Sequence, residues 1–119
     1  MKPSETDTSS WGRLSSEGRS AAVVRFVLRD RTVSFPYHTL IRWEYSIGET
    51  ETLSIYAGTT LITLRGRRLG LLRDGLDTTR LDQVRAQGER AALRTASNET
   101  WVQGIVISST ETLQNQKIR

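Results

Sequence analysis

The stretch 33-VSFPYHTLIRWEY-45 decides the fold. Its odd positions read Val33, Phe35, Tyr37, Thr39, Ile41, Trp43 and Tyr45, and its even positions read Ser34, Pro36, His38, Leu40, Arg42 and Glu44. A side-chain period of two belongs to a β-strand with one face turned to a core. Trp43 is therefore expected to be buried together with Ile41 and Tyr45. Thirteen residues is long for one strand, and Pro36 lacks the N–H that a central ladder requires. A bend is expected near Pro36–Thr39, with an edge piece before it and a strand at 40–46 after it.

The flanking sequence continues in strands. Before the stretch, Val24, Phe26 and Leu28 alternate with Arg25 and Arg29, and "RDRT" at 29–32 reads as a tight turn. After it, "TLSIYA" turns Leu53, Ile55 and Ala57 inward. Ala57-Gly58 reads as a hairpin turn, and "TTLITLR" returns antiparallel until Gly66. The period then changes. Leu69, Leu72, Leu76 and Val84 share one side of a helical wheel, which predicts a helix over 67–88, whole or split near Gly75. "TWVQGIVIS" at 100–108 suits a last strand, with Trp101, Gln103, Ile105 and Ile107 on one face. Residues 1–20 are rich in Ser and Thr and are expected to form a disordered polar tail, Trp11 and Leu14 notwithstanding. Residues 109–119 are expected to fray.

Bulk composition bounds the function. A chain of 119 residues suits one domain, here expected to span 21–108. There is no cysteine, which excludes disulfides and thiolate metal sites. The stretch "MKPSETDTSS" has no apolar signal region, and no apolar run approaches the ~20 residues of a membrane span. A soluble cytoplasmic protein is expected. The net charge of +4 is uneven: residues 61–94 carry eight arginines against Asp74, Asp77, Asp82 and Glu89. Such asymmetry points to an anionic partner. The competing cause is composition, since 15 of the 17 basic residues are arginine.

Catalytic constellations are hard to assemble. The one histidine, His38, falls on the polar face of its strand, and Ser34 lies about 13 Å away along it, beyond hydrogen-bond reach. No metal-ligand spacing and no nucleophile-elbow motif occurs, so neither cofactor nor metal is expected. Glu49 and Glu51 read as a solvated loop pair. Asp74, Asp77 and Asp82, interleaved with Arg73, Arg80 and Arg85, read as ion pairs on a helix face. Arg65, Gly66, Arg67, Arg68 and Arg73 form the candidate anion or nucleic-acid site. Free N–H groups at a helix start favour anions, although the segment lacks the Lys and hydroxyl of a P-loop.

The order of strands and helix, carried by "VSFPYHTLIRWEY" and "LSIYAGTTLITLRG", is similar to bacterial PH-like and GRAM-like modules over residues 21–90. That resemblance implies a fold alone, and the strand at 100–108 departs from it. The expected architecture is one α+β domain, an antiparallel meander of five or six strands with one helix on one face. The leading function is a non-catalytic binding or assembly module whose sheet edges take a protein partner or a second copy. The alternative is a nucleic-acid or anionic-surface binder using the arginines of 65–73. An enzyme comes third.

Overall fold

The computed structural model describes residues 7–110. They form an α+β domain of two sheets and one helix around a shared core. The strands in chain order are β1 (Asp7–Ser9), β2 (Gly12–Leu14), β3 (Val23–Val27), β4 (Thr32–Pro36), β5 (Leu40–Ser46), β6 (Glu51–Ala57) and β7 (Thr60–Arg67). Helix α1 (Gly70–Asp77), β8 (Leu81–Arg85) and β9 (Trp101–Ser109) follow. The first sheet has the order β1-β2-β8-β3-β4, antiparallel except for the parallel pair β3–β8. The second is the antiparallel series β5-β6-β7-β9. The single meander and the PH-like layout are thus corrected: nine strands divide between two sheets, and the helix is followed by two of them.

The break between sheets falls where Pro36 placed it. Tyr37–Thr39 make a 3-10 turn, and the chain passes from β4 in one sheet to β5 in the other. Within β5 the period of two fails once. The register slips between Leu40 and Arg42, so Ile41 bulges outward and is 65% exposed. Trp43 and Tyr45 keep their inward direction but are half-buried at an edge. The Trp43 indole donates to Asp77 Oδ1 at the end of α1 (2.8 Å).

A second bulge explains the largest misreading. The predicted helix over 67–88 stops at Asp77, and 81–85 is a strand. Thr79 adopts φ 58°, a left-handed conformation that ends the helix. Leu81 and Val84 are three apart, as helical neighbours are, yet both point into the core from β8. They can do so because β8 carries an extra residue against β2: Leu14 pairs with Leu81 and Arg13 with Gln83. The extra residue, Asp82, accepts from Arg13 Nε (2.8 Å) and Arg25 Nη1 (2.9 Å) on the two flanking strands. It is not paired along a helix face. The i, i+4 reading holds for Arg73 and Asp77, whose charged atoms lie 3.9 Å apart.

The tail expected over 1–20 is also corrected for its described part. Residues 7–14 form a hairpin on β8, with Trp11 and Leu14 in the core. Two large apolar groups repay the ordering of a short polar hairpin once β8 supplies a ladder. Residues 1–6 and 111–119 lie outside the described residues. At the other end β9 runs through Ser109, and the Thr110 N–H donates to Thr59 O (2.7 Å).

Candidate functional site

The strand–helix junction after Gly66 is a tight turn that brings Arg67 and Arg68 beside the start of α1. Gly66 ends the regular part of β7 against β9, and Arg68 takes φ 57° to turn the chain into α1. Leu69 caps the helix without a side-chain hydrogen bond of its own. Its N–H donates instead to Glu51 Oε1 (2.7 Å), and the same oxygen accepts from the Tyr45 hydroxyl (2.8 Å). The helix start therefore already holds an anion, the chain's own carboxylate. Partial burial pushes the Glu51 pKa up. The bonds from the N–H of Leu69, the Tyr45 hydroxyl and the N–H of Arg68, with the Arg68 charge, outweigh that and leave it below the ordinary 4.5. Bonding to Glu51 in turn holds the Tyr45 hydroxyl above its usual pKa.

A depressed carboxylate pKa has a defined consequence for stability. Glu51 stabilises the fold fully above its unfolded pKa, and that contribution is lost as pH falls through the folded value. Urea midpoints of the wild type are expected to drop on acidification below about 4.5. Glu51→Gln should start from a lower midpoint at neutral pH and lack this part of the acid limb. Parallel pH profiles for the two proteins would contradict the assignment.

Of the five residues of the sequence-derived site, Arg68 and Arg73 both lie near Tyr45, and the others have separate surroundings. Arg65 is exposed on the outer face of the second sheet, opposite Thr52 and Gly104. Gly66 is buried, and a Cβ there would lie 1.9 Å from Trp101 O. Arg67 lies 5.3 Å from the centre of the Trp101 ring, and its Nη2 donates to Thr95 O (3.3 Å). Arg68 Nε donates to Ser97 O (3.2 Å). Arg73 sits on α1 over the Tyr45 ring (5.1 Å) and pairs with Asp74 (2.9 Å). Four of the five thus serve local structure, and Arg65, two residues before Arg67 on β7, is the exposed cation of the five without such a bond.

A cleft of about 920 Å³ opens beside Arg68, between the N-terminal hairpin, the end of β5 and the start of α1. Its walls include Trp11, Tyr45, Glu51, Leu71 and the 76%-exposed Ile47. Arg68 faces Glu51 and Glu99 there, so the cleft does not gather positive charge. His38 is exposed in the 3-10 turn and makes no hydrogen bond among the described residues. Among the described residues no group of three His, Asp or Glu could hold a metal ion, and no helix is long and apolar enough to cross a membrane.

The sheet edges differ from one another in how they are closed. Strand β1 has three residues, and β4 ends in Pro36. Strand β5 carries the Ile41 bulge and the Arg42–Glu44 pair (3.1 Å). Strand β9 is the longest of the described strands and holds neither charge nor proline. Its first part is covered: the N–H groups of Gln87 and Gly88 donate to Val102 O (2.8 Å) and Gln103 O (3.1 Å). From Gly104 to Ser108, no second strand pairs with it on the side away from β7 among the described residues. Ile105 and Ile107 turn inward, half-buried against the core, and Val106 is 57% exposed on the outer face. Comparison with protein families, with curated proteins and with solved structures finds no match for this chain.

Proposed function

We propose that the chain is a non-catalytic binding and assembly module of the cytoplasm that takes its partner as an added strand on the free side of β9. The observation that carries this reading is the chemistry of Gly104–Ser108, an uncharged, β-branched edge that ends a four-stranded sheet. Unpaired edges template strand addition, and folded proteins ordinarily blunt them with charge, proline or brevity. Bulges and charge, proline or shortness close the other three edges; the far half of β9 has none of these.

The test is amide hydrogen exchange at 104–108 during titration with a panel of extended peptides that alternate β-branched and polar residues. Bound peptides are expected to slow those amides, and Val106→Lys to abolish the effect. A labelled oligonucleotide provides the contrast. Wild type should hold it feebly near physiological salt, as expected of a few scattered arginines. Tight, salt-sensitive binding lost in the double variant Arg67→Ala, Arg68→Ala, with β9 unprotected, would overturn the edge reading in favour of the arginines.

A further inference from the structure

We propose that the cleft beside Arg68 binds a zwitterionic small molecule with an apolar body, the chemistry shared by free apolar amino acids and short apolar peptides. The site is separate from β9 and does not depend on the reading of that edge. Its walls come from distant parts of the chain. The N-terminal hairpin supplies Trp11, the end of β5 supplies Tyr45 and Ile47, and the start of α1 supplies Arg68 and Leu71. At about 920 Å³ the cleft lies within the range of small-molecule sites, roughly 300–1,000 Å³.

Three charged side chains line this space, Arg68, Glu51 and Glu99. Among the described residues none of the three belongs to an ion pair within 4 Å, so the cleft holds opposite charges apart. Backbone bonds fix them there. Arg68 Nε donates to Ser97 O (3.2 Å), and Glu99 Oε1 accepts from the Ala96 N–H (3.2 Å). The terminal nitrogens of Arg68 and the second oxygen of Glu99 have no such bond among the described residues. Glu51 is anchored more fully and contributes its charge. A lone cation in the cleft would meet Arg68, and a lone anion would meet two carboxylates. A neutral apolar molecule would strip water from three charges and return nothing. A molecule with both charges satisfies all three: its carboxylate meets the Arg68 guanidinium, and its ammonium, with three donors, turns to Glu99 and Glu51.

The apolar part of the ligand has a matching surface. Ile47 is 76% exposed and Leu71 44% exposed, and both line the same cleft as the charges. A single exposed apolar residue is ordinary, but two of them beside a set of separated charges make an amphipathic site. Trp11 and Tyr45 back this wall and are themselves packed on the core. That anchoring means the wall is formed before a ligand arrives, which lowers the ordering cost of binding.

Titration followed by backbone amide chemical shifts tests this. L-leucine and L-leucyl-L-leucine are each expected to move the amides of Ile47, Leu71 and Asn98 saturably and to leave those of 104–108 in place. The tighter of the two names the source, free amino acid or peptide. N-acetyl-L-leucine lacks the ammonium and L-leucinamide lacks the carboxylate, so each should bind about tenfold more weakly. Glycine, with both charges and no apolar body, should also bind more weakly. Equal affinity for N-acetyl-L-leucine would make this an anion site, and equal affinity for L-leucinamide a cation site; either result overturns the proposal. So does the absence of saturable shifts with both zwitterions. Glu99→Gln, which keeps the acceptor for Ala96, and Ile47→Ser alter exposed side chains. Each is expected to weaken L-leucyl-L-leucine by about fivefold or more with an unchanged unfolding midpoint. Variants that bind as the wild type does overturn the site.

Discussion

Gly66→Ala is expected to destabilise the domain by about 3 kcal/mol or more, out of proportion to the addition of one methyl group. The added Cβ would stand 1.9 Å from Trp101 O and 3.1 Å from the Val102 Cα. Both are backbone atoms of the strand paired with β7, so no side chain can swing away to make room. Relief requires β9 to shift, and β9 is held along eight register pairs. Chemical denaturation provides the check: the midpoint should fall steeply with little change in slope. Gly58→Ala gives a contrast, since a Cβ there meets nothing within 4 Å and the cost is confined to its φ of 61°. Similar losses for the two variants would show that close approach at Gly66 is not the constraint.

Phe26→Ala is expected to cost about 3–5 kcal/mol, the range for large aromatic groups removed from cores. Phe26 is fully buried and meets the Phe35 ring edge-on, with centroids 5.9 Å apart and planes at 69°. Trp43→Ala should cost less, about 2 kcal/mol, although its side chain is larger. Its ring is half-buried, and its indole bond to Asp77 is at the surface. The ordering of the two midpoints is the result to look for. A tryptophan variant weaker than the phenylalanine variant would show that Trp43 carries more of the shared core than its half-buried place on the edge strand β5 implies.

That ordering reverses what the period of two alone implies, and the reason is local. The alternation from Val33 to Tyr45 correctly marks strand, and Pro36 marks the place where the chain changes sheets. What alternation cannot reveal is which strand lies at an edge, or where one residue has been inserted. The inserted Ile41 turns outward, and the bulge at Asp82 gives Leu81 and Val84 a helical spacing on a strand. The N-terminal hairpin was illegible for a different cause. Its ladder partner is β8, about seventy positions away, and two apolar residues among serines have no period of their own.

The candidate site divides in the same way. The glycine at 66 is legible as the end of a strand, but Arg67, Arg68 and Arg73 are taken up by local contacts once the turn is built. Glu51 was readable and was missed. With the β6–β7 turn at Gly58, counting outward pairs Ala57 with Thr60 and Glu51 with Gly66, which sets a carboxylate beside the helix start. The register of a hairpin thus carried information that the loop reading of Glu49 and Glu51 passed over. Strand β9 was identified as a strand within one residue of its ends, yet nothing in its own sequence marks it as an edge. That follows from the strand order among the described residues.

The parallel pair β3–β8 sets an order on how the chain can acquire its structure. Strands β2 and β3 do not pair with each other; each pairs with β8, which lies between them. As the chain leaves the ribosome, β5, β6 and β7 can form consecutive hairpins with short closures, while the two earlier strands have no central neighbour to join. Only when Leu81–Arg85 has emerged can the first sheet close around it, with Asp82 drawing Arg13 and Arg25 in from opposite sides. The hairpins β1–β2 and β3–β4 are therefore made before β8 and joined into one sheet only after it.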